Sequence, residues 1–144
     1  MALPVPEPGL VISYTYLWHS EYEDGREDGV KHRPCVIVIA ANDQIGKKLV
    51  TVVPVTHTPP RRSEEAVEIP TTTKHRLGLD DARSWAVVSE ANDFIWPGPD
   101  LRPLLGDPDR FDYGLLPPGL FRQIRDRMTA WGMARQLRSV PRTA

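Results

Sequence analysis

The segment VKHRPCVIVIAAND, residues 30–43, sets His32 and Arg33 against Pro34 at the mouth of an apolar run. A guanidinium placed there is costly unless something uses it. Its planar fork of N–H donors suits an anion held at two points, such as a phosphate. Pro34 confines the backbone of Arg33 to extended conformations, which helps to aim the side chain. The plainer alternative is a salt bridge at the strand mouth. A second stretch, VTVVPVTHTPPRRSEE (50–65), carries Thr56 and His57 just ahead of Arg61 and Arg62. The Thr56 hydroxyl can bond a phosphate oxygen but is no general base at neutral pH. His57 titrates near neutrality and can serve as acid or base. Strand neighbours point to opposite faces, so Thr56 and His57 share a site only if the strand ends or bulges there. Pro54 and the Pro59–Pro60 pair supply such an ending. Arg61 and Arg62 suit salt-dependent phosphate contacts.

A third stretch, SWAVVSEANDFIW (84–96), places Glu90 and Asn92 two residues apart, hence on one face of a strand. Glu90 is a candidate to orient Arg33 or a His, and Asn92 to read a base edge. His19 and His32 flank a polar stretch that could fold over a ligand, and Trp18 and Tyr22 could stack on bases. For most of these residues a surface or packing role is the ordinary alternative. No spacing of His, Cys or acidic residues supports a metal site, and no cofactor is expected.

The elements that must hold these groups read as follows. The chain has 144 residues, 40% hydrophobic and 26% charged, enough for one domain with a real core. Residues 1–8 form an irregular arm because Pro4, Pro6 and Pro8 block regular bonding. Strands are expected over 10–18, 34–41, 49–57, 66–70 and 84–96, with a loop over 19–32 and a turn over 42–48. Pro54 should weaken pairing locally. A Thr-capped helical segment follows 70 and stops near Gly78. Pro118 opens a C-terminal amphipathic helix carrying Leu120, Phe121, Ile124, Met128 and Trp131, with Gly132 near its end. Residues 133–144 read as a frayed tail. Together these give a single domain, mainly β with α, built as a bent sheet or small barrel with the helix over one opening.

Composition narrows the class further. The longest apolar run falls far short of the roughly 20 residues that span a bilayer. The N-terminus lacks the basic n-region of a signal peptide, so the cytoplasm is the expected compartment. Cys35 is the only cysteine and sits in the apolar run, where a buried thiol is the ordinary reading. Net charge is −1, but residues 119–144 hold six Arg against Asp126, so a local basic surface remains open.

The order of these segments resembles the MazF/PemK family of toxins from bacterial toxin–antitoxin systems. HRPCVIVIA (32–40) is similar to the family's Arg-Pro followed by a central strand. VTVVPVTHTPPRRSEEAVEIP (50–70) is similar to its strand ending in Pro-x-Thr, and SWAVVSEANDFIW with the C-terminal helix completes the likeness across roughly residues 9–131. The resemblance implies an SH3-like β-barrel of the MazF/Kid/CcdB type. It also implies a homodimer, a cognate antitoxin partner, and cleavage of single-stranded RNA without metal, with Arg33 and Thr56 on the family's catalytic positions. The chain departs in placing Asp93 where the family carries an Arg, and His57 where it carries a small hydroxyl residue. A gyrase-poisoning toxin of the same fold, and a non-catalytic RNA- or protein-binding barrel, are the alternatives.

Overall fold

An apolar run with no polar alternation needs cover on both faces. The computed structural model, which describes residues 3–23, 25, 32–133 and 138–142, gives it that cover over Cys35–Val38 and leaves Ile39 exposed. Strand β2 (His32–Asn42) lies between β1 (Leu10–Thr15) and β3 (Lys48–Thr56), all antiparallel. Its Val36 and Val38 join one buried cluster, while Cys35 and Ile37 join another. The turn between β2 and β3 is held by the Asp43 carboxylate, which accepts the backbone N–H groups of Ile45 and Lys47.

The remaining elements are α1 (His19–Glu23), β4 (Ala66–Glu68), α2 (Thr71–Leu77), β5 (Trp85–Val87), β6 (Glu90–Ile95), β7 (Asp112–Leu115), α3 (Pro118–Met133) and β8 (Arg138–Arg142). The sheet is curled and runs β4–β5–β3–β2–β1–β7, with β6 also on β3 and β8 on β6. Every strand pair is antiparallel except β6–β8. Among the described residues the fold is therefore mainly β with three α-helices. On one face, Leu120, Ile124 and Met128 of α3 bury against Val36, Val53 and Val67. Their helical spacing is the stripe read from the sequence. Arg127 and the Trp131 indole tie α3 down by donating to the carbonyls of Ser63, Ala66 and Glu64. Among the described residues no helix is long and apolar enough to cross a membrane.

Several expectations are corrected. The strand expected over 84–96 breaks at Val88–Ser89: β5 pairs with β4 and the far end of β3, and β6 with the near end. One straight strand could not follow β3 through its curl. In the loop expected over 19–32, Glu21 reaches back to the Trp18 N–H at 3.1 Å, half of a capping box, and α1 follows. Residues 24 and 26–31 of that loop lie outside the described residues. Helix α2 starts from Pro70 with no side-chain cap, so the Thr cap is absent. Gly78 does end it, at φ 73°, the left-handed region that glycine enters without steric cost. Helix α3 passes Gly132 and reaches Met133.

Of the tail expected to fray over 133–144, Met133 ends α3 and the other described residues form strand β8, running parallel to β6 from Arg138 opposite Glu90 to Arg142 opposite Phe94. Val140 is fully buried and Arg142 pairs with Asp100. An arginine-rich composition concealed both anchors. Residues 134–137 and 143–144 lie outside the described residues.

Candidate functional site

Pro54 has no N–H to give, and the β2–β3 ladder ends at its pairing with Cys35. Beyond that pair β3 keeps only its other neighbour, with Val55 opposite Ala86 and Thr56 opposite Trp85 of β5. The gap between the two strand ends opens into a solvent-exposed cavity of about 500 Å3. His32, Arg33, Thr56 and His57 all line it. Leu77–Asp80 and the segment containing Leu104, Asp107 and Arg110 form other parts of its wall. Strand parity sets Arg33 and Thr56 on the sheet face of Cys35 and Val52, and His32 and His57 on that of Val36 and Val53. Because pairing stops here, both faces reach one hollow. The irregular strand end that Thr56 and His57 required is present.

Arg33 stacks over Trp18, its guanidinium carbon 5.0 Å from the ring centroid. Its Nε is buried and has no acceptor among the described residues. Among the described residues no carboxylate pairs with Arg33, so the plain salt bridge is not formed there. A buried N–H left without an acceptor costs about 1–3 kcal/mol. The cation is thus held by an aromatic face, at the cavity, with donors to spare. Thr56 Oγ1 accepts the Thr58 N–H at 3.2 Å, which leaves its own proton to donate.

The two histidines are each fixed through one ring nitrogen. His32 Nδ1 lies 3.1 Å from Ser13 Oγ. His57 Nε2 lies 2.7 Å from Asp80 Oδ2, and Asp80 Oδ1 receives Lys74 Nζ at 2.6 Å. Lys74 is buried, and its ammonium also donates to Ser84 Oγ at 2.6 Å and to the Ala82 carbonyl. That ammonium holds the Asp80 carboxyl below the ordinary range, with a further contribution from His57. Ser84 is no candidate nucleophile: it is 2% exposed, and an ammonium bound to a carboxylate cannot take its proton.

Lys74 and Asp80 were not singled out from the sequence. The signal was KHRLGLDD: the left-handed turn at Gly78 folds the acid back onto the last turn of α2.

Other expected residues lie elsewhere. Glu90 is absent from the cavity wall and orients neither Arg33 nor His57. Its Oε1 accepts the Tyr16 hydroxyl at 3.1 Å and the His19 N–H at 3.0 Å, and burial raises its carboxyl above the ordinary range. It secures the link between β1 and α1. His19 starts α1, with Nε2 3.5 Å from Glu23 Oε1 and a buried Nδ1 that has no partner among the described residues. Arg61 lines a neighbouring, smaller hollow of about 270 Å3 that Trp18, Thr56, Pro59 and Pro60 also line. Arg62 is turned away, 3.3 Å from Glu65 and 5.7 Å over the Trp131 ring.

Asn92 is fully buried and reads nothing in solvent. Its Oδ1 accepts the Leu17 N–H at 2.9 Å and its Nδ2 donates to the Leu17 carbonyl at 2.8 Å. The amide acts as one more strand residue beside Leu17. Asn92→Ala strands both backbone groups of Leu17 in the interior, and is expected to cost about 2–4 kcal/mol in urea denaturation. An unchanged midpoint contradicts this assignment.

No protein-family model matches the chain, and no curated protein matches it.

Proposed function

We propose that the chain is an endoribonuclease of the MazF/PemK toxin type, with an SH3-like barrel, cleaving single-stranded RNA through the ribose 2′-OH without metal. A homodimer, a cytoplasmic setting and a cognate antitoxin belong to the same proposal and rest on the sequence resemblance. One observation carries the chemistry: Arg33, unpaired with any described carboxylate, shares a solvent-open cavity with Thr56, His32 and His57.

In such a site the scissile phosphate sits against the Arg33 fork, which offsets charge as it builds on the non-bridging oxygens. Positioned charge of this kind is usually the largest catalytic contribution. The Thr56 hydroxyl donates to one of the same oxygens. A base removes the 2′-OH proton, O2′ bonds to phosphorus, and the P–O5′ bond breaks as O5′ takes a proton from an acid. The products are a 2′,3′-cyclic phosphate and a 5′-hydroxyl. Two imidazoles on one cavity can supply both proton transfers.

The purified protein, incubated with a long single-stranded RNA in EDTA, is expected to leave 2′,3′-cyclic phosphate ends. RNA bound but uncut assigns a binding module instead. Intact, unbound RNA together with a trapped gyrase–DNA complex assigns the gyrase-poisoning alternative.

A further inference from the structure

The cavity holds two histidines, and their surroundings differ. His57 is bonded through Nε2 to a carboxylate, and that carboxylate is locked by a buried ammonium. Among the described residues His32 bonds only a serine hydroxyl. No described group bonds His57 Nδ1 or His32 Nε2.

We propose that Lys74 and Asp80 are positioning residues that make His57 the general base, acting through Nδ1, and leave His32 as the general acid. This rests on the nuclease reading of the same cavity. An ionised Asp80 accepts only, so Nε2 of His57 must carry the proton that bonds it. The lone pair then lies on Nδ1, the nitrogen no described group bonds. When Nδ1 takes the proton from O2′, the ring becomes a cation with its Nε2–H on Asp80 Oδ2, and the carboxylate steadies that charge. O2′ bonds to phosphorus as P–O5′ breaks, and His32, entering the step as the imidazolium with its Nδ1–H on Ser13 Oγ, gives O5′ its Nε2 proton and is left neutral. No other reactant is needed.

Lys74 acts one step further back. Its three N–H donors are spent on Asp80, Ala82 and Ser84, which fixes the carboxylate in place and keeps it ionised. A carboxylate free to turn would hold His57 loosely and release the tautomer. The arrangement places Lys74, the Asp80 carboxylate and the His57 ring in one hydrogen-bonded line, ending at the cavity.

The test pairs a normal RNA oligonucleotide with one carrying sulfur in place of the scissile O5′. A thiolate leaves without an acid, so loss of the acid is masked by sulfur and loss of the base is not. His57→Ala and Asp80→Asn are expected to slow both substrates by about 10²-fold or more, chiefly in kcat. His32→Ala is expected to slow only the oxygen substrate. The Asn side chain can donate to Nε2 and so favours the wrong tautomer, a change a packing role would not produce in kcat alone. Ring 15N shifts of the unaltered protein add a reading that no folding defect can disturb: the Nε2–H tautomer of His57 is expected. Rescue of His57→Ala by sulfur, full activity of Asp80→Asn, or the Nδ1–H tautomer overturns this inference while the nuclease reading stands. Failure of the unaltered protein to cut either RNA overturns the nuclease reading itself.

Discussion

Arg33→Met is expected to lower RNA cleavage by at least about 10³-fold while leaving thermal stability unchanged or slightly raised. The two halves of this result belong together. A guanidinium kept for structure would have its N–H groups paired, and removing it would strand the partner. Arg33 has no carboxylate partner among the described residues, and its Nε is buried without an acceptor. Met keeps the apolar stem against Trp18 and removes that orphan donor. What is lost is the stack on Trp18, worth about 0.5–1 kcal/mol, against an orphan of similar or greater cost. Arg33→Lys keeps the charge and loses the fork, and is expected to recover only part of the activity. A stability loss of several kcal/mol in Arg33→Met would mark the residue as structural and remove the main support for an anion seat.

Asp100→Ala is expected to destabilise the fold by about 3–5 kcal/mol, since it removes the carboxylate that pairs with a buried guanidinium. The Asp100 and Arg142 side chains are 4% and 10% exposed, and Arg142 Nη2 reaches both carboxylate oxygens at 3.1 and 3.3 Å. This pair holds the end of β8 against the segment that follows β6. The melting temperature should fall by about 10 °C or more. The double change Asp100→Leu with Arg142→Met should cost far less, because no charge remains buried. Equal losses in the single and double variants would show that packing of β8, and not the ion pair, carries the effect.

How much of this was legible in the sequence depends on the range of the interaction. The apolar run Cys35–Ala41 announced a central strand, and Leu120, Ile124 and Met128 announced a buried helix face, because both patterns are local. The site was legible where backbone chemistry wrote it. Pro34 beside Arg33 and Pro54 ahead of Thr56 lie inside β2 and β3 where the pairing of those two strands stops, and the parted segments line the cavity. What was not legible were contacts between residues far apart in the chain. Glu90 pairs with Tyr16 and His19, and Asn92 with Leu17, across more than 70 positions, and nothing local to SEAND shows this. The same holds for β8, whose anchor Asp100 lies 42 residues away. Lys74 and Asp80 are an intermediate case. They are close in sequence, but their meeting depends on the hand of the turn at Gly78, and the buried ammonium on packing that no periodicity records.

The central claim is that Arg33 seats a backbone phosphate in the cavity it shares with Thr56 and His57. A single-stranded oligonucleotide with 2′-O-methyl sugars cannot be cut and can be held at saturation. The Arg33 Nε–H resonance, followed as it is added, reads that seat directly. Its Nε–H should shift strongly and become slower to exchange with solvent, together with shifts in the His57 ring, and Arg33→Met should weaken binding. Saturation with the Arg33 and His57 resonances unmoved would contradict the claim.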